Sequence, residues 1–435
     1  MTNNPLFYGI DKNPSVLNQQ PISNAFGMAV RHVRDMCDID AFGVQRVSQS
    51  SALFESTCQY GKIGYLWEDA LTGGGTTTHN PNSSSVSMAV GTASGDKVIR
   101  QTHRYIRYSP HKGHRIDITR TFAPTKTNLR QRTGYFDAQN GLYFELTMSG
   151  LSVNVRSYTS GSVVNTQVFQ SNWNVDKFDG TGQSGINLDI TKNALFIIDF
   201  GWQGIAPVRF GFLIAGRTWW AHIVDNGNLL TVPYMTTGTL PLRDEIENTG
   251  VTASVSTMLH VCSSVISEGG IPNPAGIHMS ASNGITTIGV TTRRPILSIR
   301  PRLLFNSIVN RIPIIIHDYA LRAITNDSYF EVVYNGTLTG ASFADVDTTN
   351  SSIQKDVSAS AISGGMILDS GHAISGGGSG GNARAEATRI AEQVGGISLA
   401  LDIAGSVQDT LTIVCTSFSG TSNIVAEMSW VEMYA

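Results

Sequence analysis

Between about residues 90 and 235 the apolar residues recur with a period of two. That limits the region to β-structure, because a helix buries every third or fourth residue. Leu142, Phe144 and Leu146 alternate with Tyr143, Glu145 and Thr147. Leu151, Val153 and Val155 alternate with Ser152, Asn154 and Arg156. Val208, Phe210, Phe212 and Ile214 alternate with Arg209, Gly211 and Leu213. Asn140-Gly141, Ser149-Gly150, Ser160-Gly161, Asp179-Gly180, Ala215-Gly216 and Asn226-Gly227 punctuate the runs, and Asn-Gly between alternating segments is a strong hairpin signal. Short strands with turns every ~8–12 residues predict an all-β chain whose body is an antiparallel two-sheet sandwich, jelly-roll or concanavalin-like.

The flanks read differently. Residues 1–50 form an extended arm with Pro5, Pro14 and Pro21, and Ala25 to Met36 has the spacing of one short helix behind an Asn24 cap. The body is expected over 51–267, with 72–85 an exposed loop by its Gly, Thr, Asn and Ser content. Residues 268–295 read as a connecting or projecting segment. Strands resume over 296–435, where they either complete the sandwich or form a second β subdomain. Within that stretch 335–397 is rich in Gly, Ser, Ala and Thr and is expected to stay out of the core, apart from one or more helical turns over Arg384 to Val394.

Composition narrows the classes. The 435 residues include 30 Lys+Arg and 33 Asp+Glu, a net charge of −3 and a charged fraction of 14%, against about 25% in an average soluble protein. That balance argues against a basic nucleic-acid coat and against an acidic solvating chain. The start carries no basic, apolar leader, and the apolar runs Ala194 to Phe200 and Ile312 to Ile316 are far shorter than the ~20 residues of a membrane helix. Cys37, Cys58, Cys262 and Cys415 are too few and too scattered for a disulfide framework or a zinc site. They read as free thiols of a protein folded in a reducing cytosol.

No phosphate-binding Gly-rich loop, zinc-protease motif or calcium loop is present. Gly377-Gly378-Ser379-Gly380-Gly381 matches a nucleophile elbow in form, but it sits in a glycine tract without the strand and helix that motif needs. His103, His111 and His114 lie among cations, which disfavours a metal. No cofactor and no metal are expected. Glu145, Asp199, Glu245 and Glu247 are available for glycoside chemistry, but no spacing selects a pair. Trp202 sits in a Gly-x-x-Gly turn and is the best exposed tryptophan for stacking on a sugar.

Residues 97–132 hold the one local charge bias, with Lys97, Arg100, Arg104, Arg107, Lys112, Arg115, Arg120, Lys126, Arg130 and Arg132 opposed by Asp117. These cations suit bidentate acidic partners. Partners are available inside the fold or across subunits in Asp137, Asp199, Asp244, Glu245 and Glu247.

Several stretches resemble a group of virion proteins from tailed bacteriophages and marine viruses. They are Asn3 to Gly9, Val98-Ile99-Arg100-Gln101-Thr102, Lys126 to Gly141, Trp173 to Gly182 and Pro241 to Gly250. Where that group often has a Tyr-Gln-Pro-Gly-Lys turn, this chain reads Tyr108-Ser109-Pro110-His111-Lys112. The resemblance covers residues 90–270 best. It implies a non-enzymatic structural component of a phage particle (capsid-associated, decoration, or tail and baseplate), folded in the host cytoplasm and then carried in the virion.

The expected partners are copies of the chain itself, with a trimer favoured, and other virion proteins. Nucleic acid and membrane are not expected partners. The expected contacts are the arm residues Pro5, Leu6, Phe7 and Tyr8, a row of Arg100, Arg104 and Arg107, and Arg130 and Arg132 facing Asp244, Glu245 and Glu247. The rival reading is a host-glycan-binding fibre or depolymerase, with Trp202 and the loops near 72–85 and 372–382 carrying the contacts.

Overall fold

The computed structural model describes residues 22–23, 29–30, 40–42, 46, 49–270, 276–375 and 398–433. Among them every element is a strand or a short 3-10 turn, so the all-β antiparallel sandwich expected from the alternation is what forms. No helix among the described residues is long and apolar enough to cross a membrane. Two short strands come first, β1 (Ile22–Ser23) and β2 (Ala29–Val30), which pair with each other. This corrects the helix expected over 25–36 at Ala29 and Val30, and the rest of that stretch lies outside the described residues, as does Arg384 to Val394.

The first sandwich contains, in chain order, β3 (Ser51–Thr57), β4 (Trp67–Thr72), β5 (Thr76–Asn80), β6 (Ser85–Val90), β7 (Lys97–Thr102), β8 (Gly113–Thr121), β9 (Leu129–Phe136), β10 (Gly141–Thr147), β11 (Gly150–Ser157), β12 (Val164–Phe169), β13 (Ala194–Phe200), β14 (Val208–Ile214), β15 (Arg217–Val224), β16 (Leu242–Asn248) and β17 (Ser256–Glu268). One sheet runs β12-β11-β10-β9-β16-β7-β4 and the other β15-β14-β13-β8-β17-β6-β5, with β3 also on β17. The period-two side chains do what they predict. Phe144, Leu146, Val153, Phe196, Ile198, Phe210 and Phe212 meet in one core between the sheets. Asn140-Gly141 makes the β9–β10 turn, with Gly141 at φ 144°, where a Cβ would strike Phe136. The segment 72–85 is not the exposed loop expected. A tight Thr72–Gly75 turn joins β4 to β5, and threonines of high β-propensity make β5 an edge strand.

The second sandwich contains β18 (Ile277–Ser282), β19 (Ile288–Val290), β20 (Arg294–Pro301), β21 (Leu304–Phe305), β22 (Ile308–Val309), β23 (Ile314–Ala323), β24 (Ser328–Tyr334), β25 (Thr337–Thr339), β26 (Ala344–Asp345), β27 (Ile353–Asp356), β28 (Ala361–Ser363), β29 (Met366–Ala373), β30 (Leu411–Ser417) and β31 (Ser422–Glu432). β18 and β19 pair with β31, which also pairs with β23, and the facing sheet runs β26-β27-β20-β30-β24-β29. A core of its own, including Trp430, Ile413, Phe330 and Tyr319, lies between these sheets. Strands therefore occupy parts of 268–295 that read as a connection, and parts of 335–397 that read as outside any core. Ile353 is fully buried there because Glu432, itself buried, accepts bonds from Ser351 Oγ at 2.5 Å and from Ser352 N and Oγ at 2.6 Å each.

Buried charge joins the two sheets of the first sandwich. Arg120 on β8 donates from Nε to both carboxylate oxygens of Asp244 on β16, each at 2.8 Å. Asp244 also accepts from Thr133 Oγ1 at 2.6 Å and pairs with His260 Nδ1 at 2.7 Å. Burial alone would raise the Asp244 pKa, but Arg120 and His260 outweigh it and hold the carboxyl well below the usual carboxylate range. Burial and the Arg120 charge push His260 down to about 3, so the imidazole is neutral at pH 7.

The sandwiches touch through His103. Its Nε2 lies 2.5 Å from Asp409 Oδ2 and its Nδ1 3.8 Å from Glu68 Oε2. Burial would lower its pKa, but bonds to Asp409 and Glu68 prevail and push it up to about 9. Nearby, Ile403 N donates to Glu68 Oε2 at 2.9 Å, and the Arg311 guanidinium lies 4.7 Å from the Tyr105 ring centre.

Two outcomes are expected. Asp244→Asn leaves Arg120 buried without its counter-ion and lowers unfolding free energy by about 3–5 kcal/mol in urea titrations. His103 is protonated more readily in the fold than in the unfolded chain, so its contribution is complete below about pH 6.5 and is lost as pH rises through about 9. Thermal stability should therefore fall between pH 6.5 and 9.5 in the native chain, by up to about 3 kcal/mol. His103→Ala should flatten that part of the pH profile.

Candidate functional site

The outer face of the seven-stranded sheet collects most of the charges singled out in the sequence. Arg132 on β9 stands in register between Glu145 on β10 and Glu245 on β16. Its Nε donates to Glu145 Oε2 at 2.6 Å, and its Nη1 donates to Glu245 Oε2 at 3.1 Å. Arg243 Nε donates to Glu245 Oε1 at 2.7 Å. Aromatic rings fill the gaps. Arg156 lies over both Phe136 and Tyr143, at 5.6 and 5.1 Å, Arg243 over Phe136 and Arg132 over Tyr143. The set is buried, with Arg132 8%, Glu145 7% and Glu245 2% exposed. Burial would raise the Glu245 pKa, but Arg243, Lys97 and Arg132 hold it down to about 2.

The described residues expected at subunit contacts have partners within the chain. Arg130 donates to Glu247 within the chain at 2.6 Å, Arg132 is held as above, and Asp244 points the other way, into the sandwich. Arg100 is fully buried between the sheets, donating to Asp69 Oδ1 and to Lys62 O, each at 2.6 Å. Arg104 donates to Leu53 O at 2.5 Å and Arg107 is half-buried in the following connection. The three do not form a row, because Arg100 is on β7 and the others follow its end. Pro5, Leu6, Phe7 and Tyr8 lie outside the described residues.

Trp202 is no free platform either. Its Nε1 donates to Met235 O at 3.1 Å and its ring packs edge-on against Tyr108 at 5.9 Å. Asp199 lies on the outer face of the eight-stranded sheet, paired with Arg209 and Arg46. Arg46 Nη1 also lies 3.0 Å from Glu268, which burial and the Asp199 charge push up to about 7. Among the described residues no group of three His, Cys, Asp or Glu is placed to hold a metal.

Three aromatic rings, half-buried Tyr329 and exposed His372 and Phe418, gather instead on the second sandwich. Phe330, Val332 and Tyr334 of β24 point into the core, so Tyr329 and Glu331 point out. Tyr329 is directly opposite His372 of β29 and Thr416 of β30, and Glu331 is opposite Ser370. The Tyr329 and His372 rings are 5.8 Å apart, and His372 and Phe418 are 5.5 Å apart. Phe418 is 61% exposed. Asp327 fixes the corner, since Phe418 N donates to Asp327 O at 3.0 Å while Ser375 N and Oγ donate to Asp327 Oδ1 at 2.6 and 2.8 Å. Gly371 faces inward, where a Cβ would press on the Phe330 ring at 2.8 Å. Arg293 Nε donates to Glu331 Oε2 at 2.7 Å beside the row. Three rings bordered by hydroxyl, carboxylate and guanidinium groups can stack on an apolar ligand face and bond its polar rim. The sequence reading reached only the loop near His372. Tyr329, His372 and Phe418 come from three distant segments, and only strand pairing joins them.

No family model matches the chain, and no curated protein is similar to it in sequence. Solved structures are similar to about half of it. A β-glucanase of Bacillus licheniformis aligns with 50% of this chain and 99% of its own, at 10% identity and a TM-score of 0.33. A glycosyl hydrolase family 16 protein of Mycobacterium smegmatis aligns with 49% of this chain and 100% of its own, at 12% identity and a TM-score of 0.34. A legume lectin-like domain from Entamoeba histolytica aligns with 50% of this chain and 98% of its own, at 8% identity and a TM-score of 0.31. Likenesses of this degree say nothing of what the chain binds or cuts. The expectation that the chain is no enzyme is withdrawn, and at this degree of likeness no activity is assigned in its place.

Proposed function

We propose that the chain is a saccharide-binding β-sandwich component of a bacteriophage particle. The observation that carries the saccharide part is the row of half-buried Tyr329 and exposed His372 and Phe418, with Thr416, Ser370 and Glu331 on the same sheet face. Sugar rings present C–H groups on one face and hydroxyls at the rim, which is the complement of such a row. The particle part rests on the resemblance of the stretches within 90–270. The glycan contact moves from Trp202, which is packed, to the second sandwich.

Phe418→Ala removes an exposed ring at little cost to the core. It should weaken binding to the best glycan on an array about ten- to thirtyfold, on the order of 1.5–2 kcal/mol. His372→Ala should act in the same direction, while Trp202→Phe should leave affinity unchanged with the melting temperature as control. No saturable glycan binding by the native chain would overturn the saccharide reading. Absence of the chain from purified particles by quantitative mass spectrometry would overturn the particle reading.

A further inference from the structure

Sheet edges expose unpaired backbone groups, and proteins guard them with charges, prolines, bulges or covers. The first sandwich guards its edges unequally. β3 carries Glu55, and β4 carries Glu68 and Asp69, with Glu68 taken by Ile403 N of the second sandwich. β15 carries Arg217, and the 174–176 segment lies along it, with Val175 N and Asp176 N donating to Ala221 O. At β5, Lys62 Nζ donates to Thr77 Oγ1 at 3.0 Å.

β12 has none of these guards. No Asp, Glu, Lys, Arg or Pro occurs from Ser157 to Val175. β12 ends the seven-stranded sheet, and Val163 and Val164 at its start are 45% and 50% exposed. Trp173 Nε1 donates to Val168 O at 3.2 Å. Antiparallel ladders direct alternate residues outward, so Val164 and Thr166, in phase with Val168, turn their N–H and C=O groups to the open side. Among the described residues no other backbone group pairs with that side of β12.

We infer that β12 is a self-association edge, on which β12 of a second copy pairs antiparallel about a two-fold axis and continues the seven-stranded sheet across the dimer. A second copy is the fitting occupant because the edge is neutral along its whole length. Identical strands then meet without like-charge repulsion, and with the two-fold axis at Thr166 that residue faces its own copy. The contact is isologous and closes at two copies, so it does not build the three-fold ring expected from the sequence. A six-residue strand buries less than the roughly 1,200–2,000 Å² of a stable interface, so the dimer is dissociable and its population follows concentration. The inference is independent of the saccharide reading.

Sedimentation velocity of the full chain across about 1–200 μM tests it. A monomer–dimer equilibrium is expected. Val164→Lys, at an exposed position, should weaken it at least about tenfold with an unchanged melting temperature, and Val164→Thr should leave it intact. Hydrogen exchange on the native chain gives a second readout that needs no variant, with amides of 164–168 slowing as concentration rises. A monomer throughout overturns the inference. So does an oligomer that Val164→Lys leaves intact, or exchange at 164–168 that is indifferent to concentration.

Discussion

The Arg120–Asp244 pair sets the terms for the first sandwich. It is a charge-charge contact between the two sheets, fully buried, and each of its oxygens and most of its N–H groups are met. Arg120 Nη1 donates to Thr119 O and Cys262 O at 2.7 and 2.8 Å, and Nη2 to Ser263 Oγ at 2.7 Å. A buried pair of this kind adds little net stability over apolar side chains of the same size, but removing one partner is costly. Its effect is on register. A one-residue slip of β16 would turn Asp244 to the outer face and put Arg243 or Glu245 in its place between the sheets. The outer ladder of Glu145, Arg132, Glu245 and Arg243 depends on the same register, so one misplacement would break both sets of ion pairs.

The second sandwich repeats the device with a carboxylate and no arginine. Glu432, on the central strand of its sheet, is met by Ser351, Ser352 and the Trp430 indole. These bonds draw the serine-rich 351–353 stretch against the core and align β27 beside β20. That strand in turn belongs to the sheet that presents Tyr329 and His372. The aromatic row therefore rests on a sheet whose edge is pinned from inside, and Asp327 ties its outermost ring to the end of β29.

The alternation of Leu142 to Val155 and Val208 to Ile214 was legible because most residues there face the side their polarity suggests. Arg243-Asp244-Glu245-Ile246-Glu247 was not, because one run of charges is divided between two faces and Asp244 is the one taken inside. Nothing local distinguishes it from its neighbours. The same limit hid β18, whose His278, Met279, Ser280 and Ala281 alternate with too little contrast in polarity, and β27, whose serines are buried only because Glu432 is there to receive them. Sites made by pairing are harder still. Tyr329, His372 and Phe418 acquire their meaning from the β24–β29 and β24–β30 ladders, whose partners are dozens of residues apart.

Charged residues make up only 14% of the chain, and the fold draws many of them inside. Arg100, Arg120, Arg132, Asp199, Asp244, Glu245 and Glu432 are all buried, so much of a small complement of charge is committed to pairs and networks within the fold. What remains outside is enriched in Ser, Thr, Asn and apolar groups. A neutral surface offers little electrostatic steering, so recognition there must rely on ring stacking, strand pairing and hydroxyl hydrogen bonds. Both the ring row on the second sandwich and the β12 edge on the first are features of that kind. Charge placed inside fixes the strands, and its absence outside leaves those two places open to a partner.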